Sequence, residues 1–204
     1  MTLDTSALAA IGDKARSKPS VPAWRLPELS DFKQGKVIAF DPSLAATGAV
    51  ALICDQRGLT VYAARSWKTE SLHGGHEGNL DRFMRLWPQI RGWLYSINAS
   101  PAEWKIVHEA PPVGGGKILH PESSLLGGAA VRIAAEQYGL LVGKMISPQP
   151  HKHFICGDRK ADKRTHHAVL KQLIDTLPIA GAKAISNEAT RDALSVAMHH
   201  LARG

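Results

Sequence analysis

The sequence has few of the features that stabilise secreted or membrane-bound proteins. It contains two cysteines, Cys54 and Cys156, in 204 residues. Two cysteines can form neither a disulfide framework nor a cysteine-rich zinc site. No apolar run approaches the roughly eighteen residues of a membrane-spanning helix, and the first residues lack the apolar core of a signal peptide. We therefore expect a cytoplasmic protein.

Acidic residues are in the minority. The chain holds 25 Lys and Arg against 18 Asp and Glu, a net charge of +7. Most of the excess lies in residues 110–204, which carry 12 basic and 7 acidic residues, and segment 152–171 is especially basic. Such a distribution favours a polyanionic partner such as nucleic acid, although a solvated basic surface explains the same count.

The pattern of apolar residues predicts an irregular N-terminal tail over residues 1–35 and one folded domain over residues 36–204. Three strands are followed by strands that alternate with helices, which is typical of an α/β domain with a mixed β-sheet flanked by α-helices. The predicted strands cover residues 37–40, 47–54, 59–66, 104–108 and 140–146, and the predicted helices cover residues 79–97, 123–138, 162–176 and 187–202.

Four carboxylates stand at positions where we expect them to meet. Asp41 directly follows the first buried strand, Glu109 follows the fourth, and Glu188 and Asp192 share one face of the last helix. Ionised carboxylates near a core are costly unless they are paired or bind a cation. Divalent cations such as Mg²⁺ prefer oxygen ligands, and two of them about 4 Å apart can promote phosphodiester hydrolysis. For each residue alone, a helix-capping or turn-forming role explains its position equally well.

Asp41-Pro42-Ser43 directly follows the first predicted strand and is followed in turn by Thr47-Gly48. This segment resembles the first motif of the RuvC family of Holliday-junction resolvases, in the ribonuclease H-like superfamily. Further similar segments occur in the same order along residues 36–202: Ile106 to Glu109, the small-residue helix 124–139, the segment 156–163, and Asp192 to Ala197. The chain looks like a divergent phage-type or organellar relative, located in the host-cell cytoplasm if a phage encodes it.

This resemblance implies a ribonuclease H-like fold, with a three-stranded antiparallel meander and additional parallel strands. It also implies a homodimeric, Mg²⁺-dependent endonuclease that resolves four-way DNA junctions by paired symmetric nicks. Two ions per active site would be held by the four carboxylates, with Mn²⁺ able to substitute, and Lys163 would contact phosphate near the scissile bond. The stripe 127–130 of small residues would let two helices approach closely at the dimer interface. The predicted catalytic residues are Asp41, Glu109, Glu188, Asp192 and Lys163, and the predicted DNA-binding residues are Lys117, Lys152, Arg159, Lys160, Lys163 and Arg164.

Two departures from the family pattern keep other functions open. The family usually has a second acidic residue three positions before the one at Asp192, but this chain has Ala189 there, and its nearest carboxylate is Glu188. The family also often has an aromatic residue after the position of Glu109 that opens the junction, and this chain has none. One alternative is therefore a weak or inactive branched-DNA-binding module on the same fold. Another is an actin-like or sugar-kinase-like ATPase, although a second phosphate loop is lacking. The pairs His166-His167 and His199-His200 are weak metal candidates, because a helix separates adjacent side chains by about 100°.

Overall fold

The structure is a computed structural model that describes residues 25–71, 73–111 and 121–204. Its strands are β1 (Gly35–Asp41), β2 (Ala46–Asp55), β3 (Gly58–Lys68), β4 (Trp104–Glu109) and β5 (Val142–Ile146). Its helices are α1 (Gly75–Ser96), α2 (Pro121–Tyr138), α3 (Pro148–Cys156), α4 (Lys163–Thr176) and α5 (Glu188–Arg203), with short 3₁₀ turns at Leu29–Asp31 and Ala182–Ala184.

The five strands form one sheet in the order β3-β2-β1-β4-β5. β1, β2 and β3 are an antiparallel meander, whereas β4 pairs in parallel with β1 and β5 pairs in parallel with β4. The predicted mixed sheet with a meander and additional parallel strands is confirmed. This topology brings the ends of β1 and β4 to the same edge of the sheet.

Alternation along β1 divides the core into two layers. Val37 and Ala39 point to the face covered by α3, α4 and α5. Ile38 and Phe40 point to the opposite face, which packs against α1 and α2. Successive side chains of a strand point to opposite faces, so buried apolar residues at every position are expected of a sheet with helices on both sides.

Helix α3 is absent from the predicted elements because its prolines suggest a break. Pro148 is the first residue of the helix and Pro150 lies in its first turn, where backbone N–H groups have no intrahelical acceptor in any case. The helix ends at Gly157, whose φ of 69° is left-handed. Helix α1 also starts four residues earlier than predicted, at Gly75.

Part of the predicted tail contacts the folded domain. Phe32 is buried in the core beneath α5, Leu26 and Leu29 pack against the same cluster, and the backbone N–H of Lys33 donates to the carbonyl of Leu201. Residues 1–24 of the predicted tail lie outside the described residues. Among the helices of the described segments, none is both long and apolar enough to cross a membrane.

Candidate active site

Asp41 and Glu109 lie next to each other because β1 and β4 are parallel neighbours. Phe40 is paired with His108 across these strands, so the next residue of each strand leaves the sheet at the same edge. Alternation places Asp41 on the face of Ala39 and Glu109 on the face of Val107, which is the face covered by α5. Two carboxylates distant in sequence therefore face the same helix.

The turn after Asp41 is held in place from two sides. The Thr47 hydroxyl donates to the Ser43 carbonyl at 2.6 Å and accepts from the Ser43 N–H at 3.2 Å. On the other side Gly127 of α2 packs directly on the turn, since a Cβ at this glycine would lie 2.9 Å from the Ser43 backbone nitrogen. These contacts explain the Asp-Pro-Ser and Thr-Gly motifs, because together they hold the turn and so fix the position of Asp41.

Gly48 lets the start of α5 approach the sheet. It is paired with Asp41 across β1 and β2, and a Cβ on it would lie only 2.0 Å from the carbonyl oxygen of Ala189. The first turn of α5 is capped by Asn187, whose side chain accepts from the Thr190 N–H at 3.1 Å. The capped end of α5 is thus held beside Asp41, which brings Asp192 to the two strand carboxylates.

The three carboxylates influence one another electrostatically. Burial, with the charges of Glu109 and Asp192, raises the pKa of Asp41 well above its ordinary value. Burial and the charge of Asp192 raise the pKa of Glu109 to about 7. Burial also opposes ionisation of Asp192, but hydrogen bonds from His166 and His167 outweigh it and lower its pKa to about 2. Perturbed, mutually coupled groups of this kind are typical of functional sites.

The donor set fits a divalent cation. Within the described part of the chain, the half-buried carboxylate of Asp41 has neither a hydrogen-bond donor nor an ion-pair partner, although it faces two further carboxylates. A partly desolvated carboxylate beside others of the same charge is costly without a partner, and a cation would relieve both the desolvation and the repulsion. Asp41, Glu109 and Asp192 supply the oxygen ligands that such ions prefer.

Lys163 and Glu188 lie at the rim of this group. The Lys163 ammonium is 3.1 Å from Glu188 Oε2 and 3.6 Å from Asp192 Oδ2, and its side chain is 60% exposed. Glu188 is 65% exposed and directed to Lys163. The structure therefore brings all five predicted catalytic residues to one region, with Glu188 at its outer edge.

Sequence reasoning missed a chain of histidines behind the carboxylates. His167 Nε2 is 2.8 Å from Asp192 Oδ1, and His166 and His151 both contact the Ser195 hydroxyl, at 3.0 and 2.8 Å. The spacing within α4 alone predicts only a weak metal site for the pair His166-His167, because the third polar group, Asp192, comes from α5. By contrast, His199 packs against Phe154.

The predicted DNA-binding residues differ in their exposure to solvent. Arg159, Lys160 and Arg164 are exposed between α3 and the first turn of α4, beside Lys163. Lys152 is half-buried on α3, donates to the carbonyl of Ala161 at 3.4 Å, and partly offsets the rise in the pKa of Glu109 that burial causes. Lys117 lies outside the described residues.

The small residues of α2 have a different role from the predicted one. Gly127 packs on the turn after Asp41, Gly128 faces His108, and Ala130 is fully buried in the core. The prediction that this stripe forms a dimer interface is wrong for these three residues, because they fill the interior of their own chain.

Neither a protein-family model nor a curated protein matches this chain. Solved structures do match. Thermus thermophilus RuvC is 18% identical with a TM-score of 0.60, over 81% of this chain and 92% of that chain. RuvC of T. thermophilus in complex with Holliday junction substrate is 17% identical with a TM-score of 0.61, over the same shares. The yeast mitochondrial Holliday junction resolvase Ydc2 is 10% identical with a TM-score of 0.56, over 84% of this chain and 79% of that chain.

At these identities the likeness establishes the fold. The chain has the ribonuclease H-like fold in the RuvC-like arrangement, and the resemblance noted in its sequence motifs is confirmed at that level.

Proposed function

We propose that this chain, with its RuvC-like fold, is a metal-dependent endonuclease that acts on four-way DNA junctions. One observation carries the proposal: Asp41, Glu109 and Asp192, from distant parts of the sequence, meet half-buried at one edge of the sheet beside Lys163. Such a group has little structural value, because its members repel one another in the fold. The solved structures with this fold include one described as bound to Holliday junction substrate.

Asp41, Glu109 and Asp192 would hold the divalent cations, with Glu188 an outer ligand. We propose two ions per site, as Mg²⁺ or Mn²⁺. Bound there, the ions supply Lewis-acid stabilisation of the charge that develops on the phosphate oxygens and make water a better nucleophile. The end of β1 fixes Asp41 between Glu109 and α5, so Asp41 is the residue whose loss should affect cation binding most.

The cationic side chains would hold the DNA strand. Lys163 is exposed enough to leave Glu188 for a phosphate oxygen, where its charge would be balanced by the substrate. Arg159, Lys160 and Arg164 flank it on the surface and would contact neighbouring phosphates, which positions the strand without reading its sequence. Lys117 and Lys152 extend this proposed DNA-binding surface.

Junction cleavage by paired symmetric nicks requires two such sites. We propose that the chain works as a homodimer in the cytoplasm of its cell or host cell, because a two-fold axis matches the near two-fold symmetry of a four-way junction. Each protomer would then cut one of two opposed strands.

The test uses a labelled synthetic four-way junction and a linear duplex of the same sequence, each with Mg²⁺ or Mn²⁺. We expect paired nicks in the junction and little cleavage of the duplex. Asp41→Asn should lower the cleavage rate at least a hundredfold, of the order seen when one catalytic electrostatic group is lost, and should leave junction binding intact. Asp175→Asn, at an exposed carboxylate near the end of α4, is the matched control.

Three outcomes contradict the proposal. Full activity of Asp41→Asn would exclude the carboxylate centre, and uniform degradation of duplex would indicate a nonspecific nuclease. Tight junction binding by the native chain without any cleavage would favour the branched-DNA-binding module instead. That alternative draws on the outer position of Glu188 and on Ala189 in place of an acidic residue.

A further inference from the structure

A mixed nitrogen and oxygen site lies within the proposed centre. One ring nitrogen each of His166 and His167 and one carboxylate oxygen of Asp192 all lie within 4.8 Å of one another. We propose that these three side chains bind one divalent transition-metal ion, such as Mn²⁺, through nitrogen as well as oxygen. This rests on the proposed function only for the role of the ion in DNA cleavage.

The distances suit a shared ion. His167 Nε2 lies 2.8 Å from Asp192 Oδ1, and His166 Nδ1 lies 3.5 Å from the same oxygen. Neighbouring ligand atoms of an octahedral ion with bonds of about 2.1 Å are roughly 3.0 Å apart. The two ring nitrogens lie within 4.8 Å of each other, so side-chain rotations can bring the three groups towards ligand positions.

The hydrogen bonds behind His166 have the form of support for a metal ligand. His166 Nε2 is 3.0 Å from Ser195 Oγ, which is 2.8 Å from His151 Nδ1. The other ring nitrogen of His151, Nε2, lies 3.2 Å from Glu109 Oε2, but the two are not aligned for a hydrogen bond. The His151 side chain is 1% exposed, and its Nε2 has no hydrogen-bond partner among the described residues. Metal-binding histidines usually have their second nitrogen engaged in this way.

His167 makes the Asp192 end the one that suits a metal ion. At the Glu109 end a single ring nitrogen, His151 Nε2, faces the carboxylate at 3.2 Å. At the Asp192 end one ring nitrogen each of His166 and His167 faces the same carboxylate oxygen, at 3.5 and 2.8 Å. A cation at the Asp192 end would therefore have three ligand atoms from the protein.

Nitrogen ligands also change which ion is preferred. Imidazole suits first-row transition metals, whereas Mg²⁺ prefers oxygen ligands. Asp41 and Glu109 remain an oxygen-only part of the centre. The cation at Asp192 should accordingly be Mn²⁺-like, in contrast to the Mg²⁺ that the sequence alone suggests.

The test is pulsed electron paramagnetic resonance on the full chain loaded with Mn²⁺, together with calorimetric titrations of Mn²⁺ and Mg²⁺. We expect nitrogen-14 modulation from imidazole in the native protein and its loss in H166Q/H167Q. The Mn²⁺ affinity should fall at least about tenfold in His167→Gln, while Mg²⁺ affinity changes much less. His153→Gln, at an exposed histidine of α3, is the control and should bind Mn²⁺ as the native chain does.

Circular dichroism would establish that the variants fold, and His167→Gln alone keeps the test valid if loss of the buried His166 prevents folding. Absence of nitrogen modulation in the native protein, or unchanged Mn²⁺ affinity in His167→Gln, overturns the inference. Nitrogen modulation without junction cleavage would support this site while the nuclease proposal fails. Cleavage without nitrogen modulation would do the reverse.

Discussion

At the scale of single residues, Glu109 shows how the centre lowers the stability of its own fold. Burial and the charge of Asp192 raise its pKa from 4.5 to about 7. Between these two pH values the folded protein binds a proton at Glu109 that the unfolded chain has released. The contribution of Glu109 to the free energy of unfolding therefore falls as the pH rises through this window.

The variant Glu109→Gln isolates this effect. In the absence of divalent cations, we expect its stability relative to the native chain to increase from pH 4.5 to about 7 and then to level off. Partly buried histidines away from Glu109, such as His199, whose pKa burial lowers to about 4, give the opposite slope, but they are common to both proteins and cancel in the difference. Urea unfolding at several pH values measures it, and a difference that does not vary with pH would contradict the assignment.

Lys163 tests whether the rim takes part in the reaction or only in binding. Its ammonium lies within 3.6 Å of both Glu188 and Asp192, so a phosphate beside the centre would be in its reach. We expect Lys163→Gln to lower the single-turnover cleavage rate at saturating protein at least tenfold, because a charge stabilising the transition state is lost. Lys171→Gln, an exposed lysine further along α4, is the control. A change in affinity with no change in the saturated rate would show that Lys163 only binds DNA.

At the scale of secondary-structure elements, the position of α5 depends on Gly48. A methyl group on residue 48 would overlap the carbonyl carbon and oxygen of Ala189. Both of these atoms belong to the backbone of α5, which cannot rotate away as a side chain could. We expect Gly48→Ala to lower the free energy of unfolding by about 1–3 kcal/mol, as overpacking does, and to abolish cleavage because Asp192 is displaced from Asp41.

The control for this prediction is Gly92→Ala. Gly92 lies in α1 with open space around it, so alanine should stabilise the helix by up to about 1 kcal/mol and leave cleavage unchanged. Thermal unfolding and junction cleavage measure both variants. Native-like activity in Gly48→Ala would show that the approach of α5 to β2 does not set the site.

At the scale of the whole molecule, we expect the excess of basic charge to bind DNA at one end of the sheet. Arg159 and Lys160 are exposed beside the centre, whereas Arg57 lies in the turn between β2 and β3 at the opposite end of the sheet. Each phosphate contact contributes about 0.9 to the slope of log affinity against log salt concentration.

We therefore expect Arg159→Gln with Lys160→Gln to weaken junction binding and to reduce that slope by up to about 2. Arg57→Gln with Lys183→Gln removes the same charge from exposed positions away from the centre and should change the slope little. Fluorescence anisotropy over a range of salt concentrations measures both pairs. Equal effects of the two pairs would indicate attraction by net charge without a defined DNA-binding surface.

The sequence by itself determined the sheet and the strand carboxylates. Periodicity and turn residues predicted all five strands, and an acidic residue directly after each of two buried strands indicated where the site would lie. These features are local, since alternation and chain reversal depend on neighbouring residues. Helix α3 was missed because prolines usually break helices, and only the actual start of the helix shows that these two occupy its first turn.

Only the tertiary structure decided which side chains join those carboxylates. His166, His167 and Asp192 approach one another because α4 and α5 pack together, and no spacing within either helix encodes that contact. The same holds for Gly127. It is small because the turn after Asp41 packs against it within the same chain. Contacts between elements depend on how whole faces pack, so a single sequence fixes the ends of its strands more readily than the groups that gather around them.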